Sequence, residues 1–406
     1  MSRIKISNFG PIKKGFSNND GWMDIPKITL FIGNQGSGKS TIAKLISTLT
    51  WIEKALVRGD FQEKDLTIYN RFKKYCAYQN IGNYFQEKTC IEYKGVAYNI
   101  FYKDGNTKVE KNSYSKFLFP KIMYVPADRN FLSSVDRPSL LKRLPSTLYT
   151  FLDELEAAKQ EIKGSLILPI GDVRFEYSKQ NKISYIVGND YKIRLSESSS
   201  GFQSFVPLYL VSKYLSEFLN KEHDASIKQN SVEESKRITK ELEKILSNPH
   251  LTEELKNAAI ELLSSKNKYA SFINIVEEPE QNLFPSSQRN ILNSLLEFAN
   301  NSDGNKLIMT THSPYIINYL SVSIQGFCLK EKKLTDELLG KLNRVVPVKS
   351  IVNPLDIVVY QLNEADGTIQ KLPQFEGIPS DKNYLNSSLM EANQLFDSLL
   401  EIEEEI

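Results

Sequence analysis

Residues Gly33-Asn34-Gln35-Gly36-Ser37-Gly38-Lys39-Ser40-Thr41 fit the spacing G-x4-G-K-[ST], a pattern whose chemistry is the capture of phosphate. Glycines let the main chain wrap closely, so that its N–H groups and the following helix N-terminus supply positive potential. Lys39 is spaced to reach the β and γ phosphates of a nucleotide, and Ser40 to help hold Mg²⁺. Phe272–Val276 is an apolar run that ends on Glu277-Glu278-Pro279. Two acids at the end of a strand beside such a loop can divide the work, Glu277 ordering the metal and Glu278 polarising an attacking water. Thr310-Thr311-His312-Ser313-Pro314 follows the apolar Leu307–Met309, so His312 emerges where a neighbouring strand ends, within reach of the γ-phosphate or that water. The other histidines, His223 and His250, lie in a polar stretch with no such setting.

The elements that must carry these residues are legible from periodicity. Ile4–Phe9 and Ile28–Ile32 read as strands, the second an apolar run suited to a buried central position. A helix is predicted from Ser40 to about Leu56, and further helix in the charged stretch 60–80. From Thr89 to Lys111 apolar residues alternate, at Ile91 and Tyr93 and then, after Lys94-Gly95, at Val96, Tyr98, Ile100 and Tyr102. Lys103-Asp104-Gly105-Asn106 makes a hairpin turn. Ile122–Val125 is a short strand ended by Pro126. Residues 138–162 read as helix, 165–195 as strands, and Gly201 to about Leu219 as helix. Residues 220–268 are polar and helix-prone, with Lys/Glu spacings of exposed helical faces. Ser287–Ala299 reads as helix, Lys306–Thr310 as a third central strand and Ile357–Leu362 as another, with a last acidic amphipathic helix at the end. Strands alternating with helices, interrupted by hairpins, point to an α/β core with an antiparallel appendage.

Together these residues resemble the ABC-type ATPases. That class carries a signature, LSGGQ, between the phosphate loop and the acidic strand. Ser199-Ser200-Gly201-Phe202-Gln203 stands in that place and opens a helix, where its bland role would be an N-cap. The resemblance implies ATP with Mg²⁺, held by residues 33–41, with Ser40 and Glu277 at the metal and Glu278 and His312 as catalytic groups. It implies that Ser199, Ser200, Gly201 and Gln203 meet the γ-phosphate bound by a second subunit, so that a homodimer, or a higher oligomer built on it, completes two composite sites. The fold implied is an α/β P-loop NTPase, an ABC-type ATPase head with an antiparallel β lobe and a helical insertion. Residues 1–330 form that head, with a phosphate-loop core at 1–56, a β-rich insert at about 85–125, a signature helical region at 196–219, a helical insert at 220–268, and the acidic strand to switch histidine at 272–320. Residues 331–406 form a C-terminal α/β extension of it. Phe9, Phe16 and Trp22 are the candidates for stacking on adenine.

Within the class the motifs look most like the overcoming-lysogenization-defect (OLD)-like ATPases, relatives of the SMC and recombination-repair ATPases. The matching pieces are Ser199–Ser204 with Pro207-Leu208, Glu277–Pro285, Met309–Tyr315, and Tyr124–Arg129 in the manner of a Q-loop region, and the likeness covers about residues 1–320. Ala127 stands where a transporter has the Q-loop glutamine, Glu277 where aspartate is usual, and Phe284 where the D-loop of repair ATPases has aspartate. OLD-like proteins often end in a Toprim nuclease. Asp336, Glu337, Asp356, Glu364 and Asp366 lack that domain's glutamate-then-DxD pattern, so a separate effector, a nuclease, is the expected partner. The chain in this respect resembles the ATPase subunits of bacterial anti-phage systems such as Septu and PARIS. The alternative is a DNA-binding repair or recombination ATPase of the SMC-like class, with a nucleic acid held by residues such as Arg71, Lys73, Lys74, Arg137, Lys142 and Arg143.

Composition is compatible with either. The 406 residues carry 51 Lys and Arg against 49 Asp and Glu, so no global basic excess marks a nucleic-acid binder. Cys76, Cys90 and Cys328 are far apart and form no CxxC pair, which argues against a disulfide framework or a zinc site. No run approaches the ~20 apolar residues needed to cross a bilayer, and the N-terminus lacks the apolar stretch of a signal peptide. A cytoplasmic protein with no membrane partner is expected.

Overall fold

In chain order the computed structural model has strands β1 (Ser2–Phe9), β2 (Gly15–Phe16), β3 (Met23–Ile25) and β4 (Ile28–Gly33), then helix α1 (Lys39–Arg58). Short helices α2 (Glu63–Thr67) and α3 (Arg71–Tyr78) lead to β5 (Phe85–Lys94), β6 (Tyr98–Lys103), β7 (Asn106–Lys111) and β8 (Pro120–Val125). After α4 (Ser146–Glu161) come β9 (Ser165–Ile167), β10 (Arg174–Ser178), β11 (Ile183–Val187) and β12 (Lys192–Arg194). Next are α5 (Ser200–Phe218), α6 (Val232–Leu246), β13 (Ser271–Glu277), α7 (Pro285–Asn300), β14 (Lys306–Thr311), α8 (Pro314–Lys330) and α9 (Asp336–Val345). The last elements are β15 (Ile357–Leu362), β16 (Thr368–Lys371), β17 (Gln374–Phe375), β18 (Ile378–Pro379) and α10 (Tyr384–Glu404). The structure describes residues 1–405 other than 115, 142, 219–231, 249–251, 253–254 and 257–268.

A seven-stranded sheet of order β2-β16-β15-β4-β14-β13-β8 forms the centre, and its five strands from β15 to β8 are parallel. Every residue of β4 and of β13 is buried, as expected of parallel strands covered on both faces. The period-2 alternation divides them. Leu30, Ile32, Val276 and Met309 join one core with Phe205, Leu292 and Ile316 from α5, α7 and α8. Phe31, Ile275, Ile308 and Tyr360 join the other, with Ile42, Ile46 and Leu49 of α1.

That second face is roofed by a five-stranded antiparallel sheet of order β3-β1-β5-β6-β7. The buried carboxylate of Glu53 fastens α1 to it, accepting from the Tyr93 hydroxyl at 2.8 Å and the Ala97 N–H at 2.7 Å. A second antiparallel sheet, β12-β11-β10-β9, lies between α4 and α5 in the chain. The fold is thus α/β with mixed sheets and helices, the class the sequence pattern pointed to.

Several boundaries differ from the pattern-based reading. β8, assigned above to the β-rich insert at 85–125, is an edge strand of the central sheet, because its register with β13 (Ile275 opposite Tyr124) is parallel. The antiparallel lobe instead recruits β1 from the first segment, with Ile4 opposite Tyr93 and Ile6 opposite Ile91. Val96 was counted into the alternation, yet it is exposed in the tight connection between β5 and β6. The helix expected over 138–162 starts at Ser146, past a short 3₁₀ turn at Pro138–Leu140. The insert 220–268 falls mostly outside the described residues, α6 being its principal described element, and His223 and His250 fall outside them as well. Most consequentially, the C-terminal segment enters the centre of the fold: β15 pairs in parallel with β4, Ile357 opposite Ile28 and Leu362 opposite Gly33.

Because β15 covers one side of β4, a chain stopped after residue 345 should expose that strand's edge and aggregate. A chain stopped after Leu389 loses mainly the exposed end of α10 and should melt within a few degrees of the full chain. Soluble yield and thermal melting of the two truncations check this; a soluble, cooperatively melting 1–345 would contradict the central role of β15.

Candidate active site

Gly33 ends β4 with a φ of 148°, and a Cβ there would sit 2.5 Å from the Leu362 carbonyl of the adjoining strand, so no larger residue fits that turn. Gly38, at φ 101°, is the left-handed residue from which α1 springs. Between them the loop is bonded to itself: Ser37 donates to the Asn34 carbonyl at 2.8 Å, and the Gln35 N–H to Asn34 Oδ1 at 2.8 Å. Ser40 and Thr41 lie in the first turn of α1.

Lys39 is buried and turns its ammonium back over the loop, donating to the carbonyls of Gly33 at 2.8 Å and Asn34 at 2.7 Å. Burial lowers its pKa to about 8, against the opposing pull of Glu278, Glu280, Glu364 and Glu277. Its Nζ also lies 3.4 Å from His312 Nδ1. On the ring's other side His312 Nε2 is 3.2 Å from Glu278 Oε1. An ammonium can only donate, so Nδ1 accepts from Lys39 and the neutral ring carries its proton on Nε2, facing the carboxylate. Hydrogen bonding from His312 lowers the Glu278 pKa and outweighs its partial burial, with Arg129 and Lys39 adding to the effect. Lys39, His312 and Glu278, separated by 273 and 34 positions in the chain, therefore form one continuous polar relay at the C-terminal ends of β4, β14 and β13.

The acidic pair is divided by environment. Glu277 is only 5% exposed; its Oε2 accepts from the Ala127 N–H at 3.2 Å, while Oε1 has no hydrogen-bond partner among the described residues. Tyr124 packs beside it, and burial with Glu277 nearby pushes the phenol pKa well up. A buried carboxylate oxygen left without a donor suits a cation, and Mg²⁺ is commonly held by one or two side chains together with substrate phosphates. Glu277 thus has the chemistry that the expected metal role needs, and Ser40 stands in the first turn of α1. Glu278 adopts a left-handed backbone (φ 44°), which turns its side chain out of the strand towards His312.

Two residues that sequence reasoning passed over hold this arrangement. Arg129, 0% exposed, donates to the carbonyls of Glu277 at 2.8 Å, Glu278 at 2.7 Å, Ser204 at 3.1 Å and Pro126 at 3.2 Å. Burial lowers its pKa to about 10, opposed by Glu280, Glu278 and Glu277. Glu280, half-buried, accepts from the Thr311 hydroxyl and the His312 N–H, each at 2.7 Å, and fixes the backbone that carries the histidine. Glu364, just past β15, accepts from Asn34 Nδ2 at 3.0 Å, so one of the acids weighed above for a nuclease cluster braces the phosphate loop instead. Asp366 bonds Lys14 and Thr368.

Ser199–Gln203 sits apart from this relay. Gln203 donates from its amide to the Ser196 and Ser198 carbonyls at 3.0 Å each, and Gly201 packs on the Asn282 carbonyl. Among the described residues no hydrogen bond joins 199–203 to 33–41, and Ser199 and Ser200 are exposed at the start of α5. Phe284, the D-loop departure, is 76% exposed. Of the aromatic candidates for adenine, Phe9 and Phe16 are core residues, packed on Phe85 and Tyr360, and cannot stack on a base. The Trp22 ring is covered by the Lys94 ammonium at 4.3 Å. Among the basic candidates for a nucleic-acid groove, Arg71 pairs with Asp65, Lys73 lies over the rings of Phe85 and Tyr102, and Lys142 falls outside the described residues. No helix among the described residues is long and apolar enough to cross a membrane.

The AAA_15 family, described as an AAA ATPase domain, matches residues 62–317, more than half of the chain. No curated protein matches. Among solved structures, the chain is similar to the SMC head domain from Thermotoga maritima, with 11% identity, 92% of this chain and 98% of that one covered, and a TM-score of 0.35. It is also similar to an SMC head bound to the C-winged helix domain of ScpA (10% identity, 91% and 96% covered, TM-score 0.31). A nucleotide-free ATP-binding cassette from an ABC transporter gives 12% identity, 93% and 94% covered and a TM-score of 0.28.

Two predictions follow from the geometry. Since kcat/KM reports ionisations of the free enzyme, and Lys39 loses its proton there near pH 8, kcat/KM for ATP should fall as pH rises through about 8. That alkaline limb should move up by more than a unit in Lys39→Arg, whose guanidinium stays charged. Arg129→Lys, with three donors for four carbonyls, should leave at least one without a donor, lowering stability by about 1–3 kcal/mol in urea unfolding and cutting hydrolysis at least tenfold.

Proposed function

The chain belongs to the AAA ATPase domain family, and from that premise we propose that it is an ABC-type ATPase whose two composite sites close between two copies. The observation that carries the reading is the relay from Lys39 Nζ through His312 to Glu278, at 3.4 Å and 3.2 Å. In this reading Gly33–Thr41 cradles the phosphates, and Lys39 exchanges its two carbonyl contacts for β- and γ-phosphate oxygens. Glu278, kept ionised by His312, orients and polarises the attacking water. His312 holds Glu278 through Nε2–H and, released by Lys39, can turn Nδ1 towards the γ-phosphate or the water. Mg²⁺, held by Ser40 and Glu277, would neutralise developing charge on the phosphates.

Ser199, Ser200, Gly201 and Gln203 are assigned to the γ-phosphate of the opposite copy. The exposure of Ser199 and Ser200, and the lack, among the described residues, of hydrogen bonds from 199–203 to the chain's own phosphate loop, support this head-to-tail arrangement. ATP turnover is then coupled to a separate effector protein, a nuclease, that the dimer scaffolds or restrains in bacterial anti-phage defence in the cytoplasm. The likeness of Glu277–Pro285 and Met309–Tyr315 to OLD-like ATPases supports that assignment.

Glu278→Gln should bind ATP as well as the unaltered chain, hydrolyse it at least 100-fold more slowly, and accumulate as a dimer in ATP by light scattering. Ser200→Arg should bind ATP as a single copy and fail to dimerise. A Glu278→Gln protein with normal turnover would remove Glu278 from its role. Purification from the native operon should recover the effector with the chain, and an unchanged phage sensitivity on deletion would remove the defence assignment.

A further inference from the structure

Behind the phosphate loop lies a second cavity, of about 490 Å³, walled by the middle of α1, by α3, by α4 and by β8. Its volume falls in the range of small-molecule sites. One wall is aromatic. Trp51, 37% exposed, packs on Tyr75 with ring centroids 5.1 Å apart, and Tyr75 is in turn stacked on Phe61 at 5.5 Å. Tyr78 bonds Thr150 across from α3 to α4.

The charges lining it balance. Lys54, Arg58 and Lys121 are each buried, and Asp60, Asp153 and Glu154 answer them; Arg58 pairs with Asp60, and Lys121 with Glu154 at 2.8 Å. Lys54 and Lys121 also lie over the Tyr269 ring at 5.2 and 5.3 Å. With three cations against three carboxylates the walls offer no net field to an anion, so a phosphate-bearing ligand gains nothing there over a neutral one. Among the described residues two lining side chains keep a buried polar atom without a hydrogen-bond partner, the Tyr124 hydroxyl and the Gln79 amide. Gln79, 5% exposed, uses its amide nitrogen on the Ser47 hydroxyl at 3.2 Å, while its Oε1 has no hydrogen-bond partner among the described residues. A native fold rarely leaves such an acceptor unmatched.

We propose that this cavity is a binding site for a nucleoside: a neutral, planar heteroaromatic with a hydrogen-bond donor edge. The base stacks on Trp51, which Tyr75 backs; the Gln79 amide, whose Oε1 is sealed from solvent in the structure, turns towards the cavity to accept from the base's N–H edge, and the hydroxyls of Thr48 and Thr147 and the paired side chains meet the sugar. The site is distinct from the phosphate loop. It lies about two to five turns along the helix that the loop begins, and its floor, Lys121–Tyr124, is the strand that runs into Ala127, whose N–H holds Glu277.

The chain has two tryptophans, so Trp22→Phe leaves Trp51 as the only tryptophan, excited selectively at the red edge where tyrosine does not absorb. Titrating that protein with adenosine, guanosine, cytidine, uridine and thymidine, without ATP, should give a saturable change in Trp51 emission with at least one of them. Binding should weaken at least tenfold in Tyr75→Ala and in the near-isosteric Gln79→Leu, and should persist in Lys39→Ala. Calorimetric titration of Trp51→Phe, whose melting reports folding separately, should show the same loss if either of the other variants fails to fold. Three results would overturn the proposal: no response to any of the five, a 5′-monophosphate that binds more than tenfold tighter than its nucleoside, or loss of binding in Lys39→Ala.

Discussion

A guanidinium sealed from water holds the catalytic end of this molecule together. Arg129 meets four main-chain carbonyls from three segments: the turn after β8, the end of β13 and the first turn of α5. An isolated buried charge is among the costliest things a fold can contain, and it persists only when its environment is saturated with acceptors and counter-charge. Here the carbonyls supply the first and Glu277, Glu278 and Glu280 the second. The left-handed turn at Glu278 is thereby pinned from both sides, its carbonyl by Arg129 and its N–H by the Thr310 carbonyl at 2.9 Å. Because Ser204 belongs to α5, a shift of that helix cannot leave the Glu278 backbone untouched.

The relay beyond it depends on a different kind of restraint. His312 and Glu278 directly follow β14 and β13, and Lys39 follows β4 across the phosphate loop, so their approach requires the parallel registers to be right to the residue: Thr311 opposite Ile32 and Glu277 opposite Thr310. A slip of one position would turn each strand's last side chain to the other face. Glu280 and Thr311 lock the final step by bonding the His312 backbone to the segment that follows β13.

What the sequence disclosed follows from this architecture. Apolar runs as plain as Ile28–Ile32 and Phe272–Val276 mark buried parallel strands, and chemistry placed where they end is easy to find. The partners of those strands are not, because pairing leaves no local trace. Nothing in Ile122–Val125 says that it borders β13 and not the hairpins before it, and nothing in Ile357–Leu362 says that it flanks β4. Arg129 was visible only as part of a motif, since an arginine reads as surface until its burial is known. Glu364 and Asp366 looked like a partial acidic cluster, whereas position ties one to the phosphate loop and the other to Lys14. The aromatic candidates erred for the converse reason: Phe9 and Phe16 are core rings, which composition cannot tell from ligand platforms.

The strand order also has a bearing on how the protein is made. β4, which ends in the phosphate loop, is flanked by β14 and β15, and of the first three central strands to be synthesised, β2, β4 and β8, no two are neighbours. At ribosomal rates of about 5–20 residues per second, the phosphate-loop strand waits roughly a quarter of a minute to a minute for its first partner. Apart from the β15–β16 hairpin, the central sheet is built from long-range pairings, which close slowly. The antiparallel lobe, by contrast, can assemble from the first 111 residues alone, and α1 with its Glu53 anchor can dock on it early. A nascent chain therefore carries a shaped lobe and an apolar strand with no sheet, and the nucleotide site is among the last parts of the molecule to exist.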